Sequence, residues 1–290
     1  MARAVEPPPP GVIHDIGYQH YSGPRLGRGY RMRSLYVHSL RTAYGLGRTA
    51  RFKVFPFMLF GVFCIVAVVL VMIRSLSGQA PIQYDQFPGV MPLPLIVFLA
   101  AVAPELVSRD LRATLLPLYF SRPLRRSDYP LAKLAALASA VFILLVTPLV
   151  IMFLGAAFST GDGLSGVWHE WEDLMPALAN AAIYSIVLSA LTLLIASVTK
   201  RQVFAAGAIV AVFLVTLPIA GLLSEVGSRA VQDLAGLWSP MTLLGGLERW
   251  LFDTPGQFGD SYGWVYGLIT IVLYGGCVAL LIQRYRRVTA

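Results

Sequence analysis

Apolar residues gather in six long runs, at 54–73, 90–107, 131–158, 175–198, 203–223 and 264–282, and the charges collect between them. A run of about 18 residues or more crosses a hydrocarbon core of about 30 Å at 1.5 Å per residue, so each run predicts one transmembrane helix. The second run is unusual, because Pro92, Pro94 and Pro104 punctuate it and Glu105 sits near its end. Interior prolines free backbone carbonyls, which are tolerated at membrane depth only against protein or water, so this span is predicted to be bent and protein-facing.

The segments between the runs carry weaker patterns. Met32, Leu35, Tyr36, Leu40 and Ala43 repeat at helical spacing, with Arg31, Ser34, His38 and Arg41 on much of the remaining surface. This predicts an amphipathic helix, either lying at the membrane interface and feeding the first span or packed on a partner; the stripe fits both. Before it, the proline tract 7–10 and the stretch that follows have no helical or strand period. They predict a cytoplasmic tail, either solvated or able to dock a partner. The segment 159–174 reads as an acidic outer loop with Trp168 and Trp171. Only 199–202 separates the fourth and fifth spans, which makes them antiparallel neighbours, packed partly through Ala181, Ser185 and Ser189. The stretch 224–263 is too short for two more spans and too apolar for a wet loop, so it predicts short helices at, or dipping into, the outer interface. The chain divides into a tail at 1–29, an interfacial helix at 30–50 and a six-span membrane domain at 51–290.

Charge sets the orientation. Of 23 Lys and Arg, only Arg74, Arg229 and Arg249 fall on one side of the six runs; the rest lie before the first, between the second and third, between the fourth and fifth, or after the sixth. Short basic loops are retained in the cytoplasm, so both termini are expected there, in a multi-pass protein of the cell membrane. All five tryptophans, Trp168, Trp171, Trp238, Trp250 and Trp264, fall toward the other side, where amphipathic rings favour the headgroup zone. A composition of 57% hydrophobic and 13% charged residues excludes a soluble core of this length. The net charge of +8 follows from topology and anionic inner-leaflet lipid, so membrane lipid is an expected partner and nucleic acid is not. Cys64 and Cys277 both lie inside predicted spans and read as packing residues without a disulfide framework. No cleavable signal is expected, because the first 50 residues are polar and basic.

Several chemistries are missing. There is no Gly-x-x-x-x-Gly-Lys-Ser/Thr phosphate loop, no Gly-x-Ser-x-Gly elbow and no His-Glu-x-x-His helix. His14, His20 and His38 are scattered, and neither a metal site nor a catalytic residue is expected. Ionisable groups are absent from the span centres, and Glu105 and Glu225 lie near span ends, which leaves little basis for ion coupling. If the chain transports, the energy comes from elsewhere.

The segment after the second span offers a source. Leu115, Leu116, Leu118, Tyr119 and Phe120 follow almost in succession, framed by Arg109, Arg112, Arg122, Arg125 and Arg126. A solvated connector has no need of that apolar surface, so a partner should cover it. From residue 30 to the end, the chain resembles the membrane subunit of type-2 ABC exporters. The matching residues are Glu105, Arg109, Thr114, Leu115, Pro123, Arg125 or Arg126, Tyr129 and Lys133; Ala113 stands where that family carries glycine, and Pro117 interrupts the segment.

The resemblance implies an all-α polytopic membrane protein: six transmembrane helices with an N-terminal interfacial helix, a cytoplasmic coupling helix at 110–121 and short outer re-entrant helices. It implies that Glu105, Arg109, Asp110, Thr114, Leu115, Leu116, Tyr119, Arg122, Arg125 and Arg126 couple to an ATP-binding cassette subunit. That partner, not this chain, would hold Mg-ATP. It further implies an outer gate carrying Trp238, Pro240, Leu244 and Trp250, and assembly with a second copy or a related permease. The expected cargo is amphipathic: a drug, lipid or natural product. Two other classes stand beside this one, a membrane-embedded enzyme or ion-coupled carrier, and an anchor or sensor that docks a partner without moving a substrate.

Overall fold

The computed structural model describes residues 23, 27–47, 49–112, 125–159, 163–226, 228–253, 258 and 262–287. Among them the chain forms α1 (Arg28–Ala43), α2 (Ala50–Ser77), α3 (Phe87–Val90), α4 (Pro92–Arg112), α5 (Asp128–Ser159), α6 (Gly163–Val198), α7 (Gln202–Val226), α8 (Arg229–Leu234), a 3-10 turn (Ala235–Trp238), α9 (Pro240–Phe252) and α10 (Gly263–Arg287), with no strand among the described residues. Six of these, α2, α4, α5, α6, α7 and α10, are long and apolar enough to cross a membrane, which makes this a multi-pass helical membrane protein.

Burial separates the six by position. In the most apolar window of α4 and of α6, 61% of residues are buried, against 22–28% for α2, α7 and α10. The first pair therefore forms the middle of the bundle, and the other three turn apolar faces such as Ile65, Val215 and Ile271 outward, as a bilayer allows. The prolines of the second run fit this plan: Pro92 and Pro94 open α4, where missing N–H groups cost little, and Pro104 is buried. α5 lies along both α6 and α2, and α7 leans chiefly on α4. Although α6 and α7 touch across their tight turn, each has a larger contact with another helix. A short connection fixes neighbourhood without fixing the extent of contact.

Two sequence expectations change here. The segment read as an outer loop at 159–174 is largely helical, because α6 begins at Gly163. Its charges do not end the helix, since Glu170 is turned inward and satisfied by partners. The amphipathic stripe of α1, with Leu35, Ser39 and Ala43 buried, faces α5 and α4 of the same chain. Tyr36 donates to Ser139 Oγ at 2.9 Å, and Arg28 meets Asp128, so α1 runs alongside the first turns of α5. Beyond it the chain reverses through Gly45, at φ 67°, where a Cβ would overlap the carbonyl of Phe52. Tyr44 closes this elbow by donating to Ala140 O at 2.7 Å in a buried position. Tyr44→Phe should therefore lower stability by about 1 kcal/mol, read as a small drop in the thermal midpoint of the detergent-solubilised chain.

Candidate functional site

The basic end of the bundle is built by the last turns of α4. Glu105, Arg109 and Arg112 recur at four and three residues, so they share one face of that helix. Glu105 Oε1 accepts from Arg109 Nη1 at 3.2 Å, and Oε2 accepts from Gln202 Nε2 at 3.0 Å, which ties α4 to the start of α7. Facing them across a groove of about 660 Å³ are Gly47, Thr49 and Phe52 of the α1–α2 elbow. Arg109 keeps half of its side chain exposed beside this groove. The chemistry on offer is a pair of guanidinium groups beside one carboxylate, suited to an acidic or phosphate-bearing partner.

Asp110 points the other way. It is 8% exposed, and its Oδ2 takes a hydrogen bond from Tyr129 at 2.8 Å and an ion pair from Lys133 at 2.9 Å. Its place is a brace between the end of α4 and the start of α5, not an open docking surface. Asp128, also buried, pairs with Arg28 and accepts the backbone N–H of Arg125 at 3.3 Å. The side chain of Arg126 donates to the carbonyl of Arg286 at 2.9 Å, joining α10 to the same end. Of the residues the resemblance assigns to coupling, Glu105 and Arg109 therefore meet in one groove, while Arg125 and Arg126 stand exposed just before α5. Thr114, Leu115, Leu116, Tyr119 and Arg122 lie outside the described residues.

At the opposite end the predicted short helices are α8, the 3-10 turn and α9. Pro240 opens α9 after the extended Ser239, and Asp253 ends it in the left-handed region at φ 54°. Leu244 is buried, whereas Trp238 and Trp250 are exposed. Gly246 lies against the Tyr266 ring, where a Cβ would overlap it, so α9 sits directly on α10.

One turn beyond Leu244, Glu248 occupies the same buried face at 6% exposure. Its Oε2 accepts from Asn180 Nδ2 at 2.8 Å and from the Tyr184 hydroxyl at 3.3 Å, both on α6. Asn180 also donates to the Asp85 carbonyl at 2.9 Å, so one amide joins α9 to the segment before α3. Burial pushes the Glu248 carboxyl up to about 7, with a smaller push from the Asp85 charge, against the hydrogen bonds from Asn180 and Tyr184. In the sequence the spacing from Leu244 marks the helical face of Glu248, but nothing local marks its partners. A second polar knot joins Arg74 at the end of α2, Glu170 on α6 and Tyr84, with Arg74 Nη1 donating to Glu170 at 3.0 Å. Burial, helped by the Glu170 charge it faces, raises the Tyr84 phenol above its ordinary range.

No group of three His, Cys, Asp or Glu among the described residues could hold a metal ion. Compared with models of known protein families and with curated proteins, the chain matches none.

Proposed function

We propose that this chain is the membrane subunit of an ATP-driven exporter, a type-2 ABC permease powered by separate ATP-binding subunits. The observation that carries this reading is the groove at the basic end, where Glu105, Arg109 and Arg112 face the α1–α2 elbow. It stands beside the segment whose residues resemble the coupling region of that family. A brace of Asp110 with Lys133 and Tyr129 holds the two helices that bracket the segment. Motion of a docked ATPase would thus be passed to α4, one of the two most buried helices of the bundle.

In this reading both termini are cytoplasmic in the cell membrane. α1 is the membrane-proximal helix of the coupling end, 110–121 is the coupling helix, and α8 with α9 forms an outer re-entrant gate. A second copy or a related permease would cover part of the outward faces of α2, α7 and α10, and the path between the two would take an amphipathic cargo outward. Mg-ATP would be bound and hydrolysed on the partner.

The test is affinity purification of the full chain from its native host with identification of what remains bound. An ATPase should accompany the parent chain, and Arg109→Glu or Leu115→Asp should weaken its retention by roughly thirtyfold, about 2 kcal/mol at an interface hot spot. Arg109 contributes only an exposed pair within one helix, worth a few tenths of a kcal/mol, so the thermal midpoint should stay within a degree or two. An unchanged complex in both variants would sink the coupling assignment. External labelling of Arg125→Cys in intact cells by a membrane-impermeant maleimide would sink the orientation.

A further inference from the structure

We propose that the cavity at the acidic end of this protein is a binding site for an organic cation with an apolar body. The cavity measures about 630 Å³ and lies between the last two turns of α2, residues 80–85, α5, α6 and the C-terminal end of α9. That volume falls in the range of small-molecule sites. Leu70, Ile82, Met152 and Phe252 give it apolar walls.

Its charge is one-sided. Arg74 is the cationic side chain among the lining residues, and its guanidinium is held by Glu170, which also receives the Tyr84 hydroxyl. Three lining carboxyls remain, Asp85, Asp173 and Asp253, and none of them has an ion-pair partner among the described residues. Asp85 is only 8% exposed, and its side chain accepts backbone N–H from its own turn, from Gln86 at 3.0 Å. A carboxylate held this deep without a counter-charge is costly, and a bound cation supplies what the protein withholds. The carboxyls are spread around the walls and do not converge, since no three such residues are placed to ligate a metal ion. A compact divalent ion is therefore the wrong guest, and a bulky cation whose charge is spread over an apolar framework is the right one. Leu251 and Phe252, also in the lining, belong to the last turn of α9, just after Glu248, so a guest would rest directly against the segment assigned as the outer gate.

That this cation is exported cargo rests on the proposed function; that it binds does not. The experiment is equilibrium dialysis of the purified full chain in neutral detergent against tetraphenylphosphonium and tetraphenylborate, ions of similar shape and opposite charge. Saturable binding of the cation at one site per chain is expected, at least tenfold tighter than the anion. The double substitution Asp85→Asn with Asp173→Asn should weaken it tenfold or more, whereas Glu172→Gln, an exposed neighbour outside the cavity, should leave it unchanged. Should the double variant not fold, photolabelling of the unaltered chain with a diazirine-bearing phosphonium replaces it. Label on peptides from 70–85 and 251–253, displaced by tetraphenylphosphonium, supports the site. Equal affinity for both ions, unchanged affinity in the folded double variant, or undisplaced label overturns it. Loss of ATPase partnership with cation binding intact would sink the exporter reading alone, and the converse would sink this site alone.

Discussion

Replacing Lys133 by methionine should lower the stability of the chain by about 3–5 kcal/mol, because it removes one partner of a buried ion pair and strands the other. Lys133 is 4% exposed, its ammonium lies 2.9 Å from Asp110 Oδ2, and it also sits over the Tyr129 ring at 5.5 Å from the centroid. After the substitution Asp110 keeps, among the described residues, only the Tyr129 hydroxyl at 2.8 Å, too little to hold a desolvated carboxylate. The double variant Asp110→Asn with Lys133→Met should recover most of the loss, since a neutral amide can still accept from Tyr129 and no charge is left unpaired. Thermal melts of the parent, the single and the double variant in one detergent measure this. A single variant within 1 kcal/mol of the parent, or a double variant no better than the single, would show that the pair does not brace this end. Because α4 ends at Arg112 and α5 begins at Asp128, the brace spans the base of the proposed coupling segment. Its loss should therefore weaken ATPase retention as well as stability.

How much of this was legible in the sequence depends on the range of the interaction. The six crossings were, because each needs only its own apolar run; the run at 54–73 sits inside α2 at Ala50–Ser77. Their ends were not, because a helix continues past its apolar stretch wherever partners satisfy the charges. Thus α6 begins at Gly163, twelve residues or so before the apolar run, with Glu170 turned toward Arg74 and Tyr84. The buried stripe of α1 could be read, but its partner could not, since lipid, another protein and α5 all accept the same face. The groove residues Glu105 and Arg109 were named through the family resemblance, whereas Gln202 joined them only through the fold, across about a third of the chain. Glu248 is the extreme case: its partners Asn180 and Tyr184 lie on a different helix and carry no charge to announce them.

That residue gives the second large effect. Glu248→Gln should stabilise the chain at pH 8.5 by roughly 3 kcal/mol and leave it nearly unchanged near pH 4.5. The sign follows from burial. With its carboxyl pushed up to about 7, the folded protein prefers the protonated acid, so the contribution of Glu248 is fully present below the ordinary carboxyl range and lost as the pH rises to about 7. Each pH unit between the two values removes about 1.4 kcal/mol. Glutamine imitates the protonated state: its carbonyl accepts from Asn180 and Tyr184, and it never ionises. Glu248→Ala should be about 1–3 kcal/mol less stable than Glu248→Gln at every pH because Tyr184, 1% exposed, loses its acceptor. Melts of parent and Glu248→Gln from pH 4.5 to 8.5 test the assignment, and their difference cancels every other titrating group. Parallel curves would mean that Glu248 is ionised where it stands. Diverging curves would mean that a proton holds α9 against α6, about four helical turns, or roughly 21 Å, from the Val198 end, so that the seating of the proposed outer gate loosens as the outside turns alkaline.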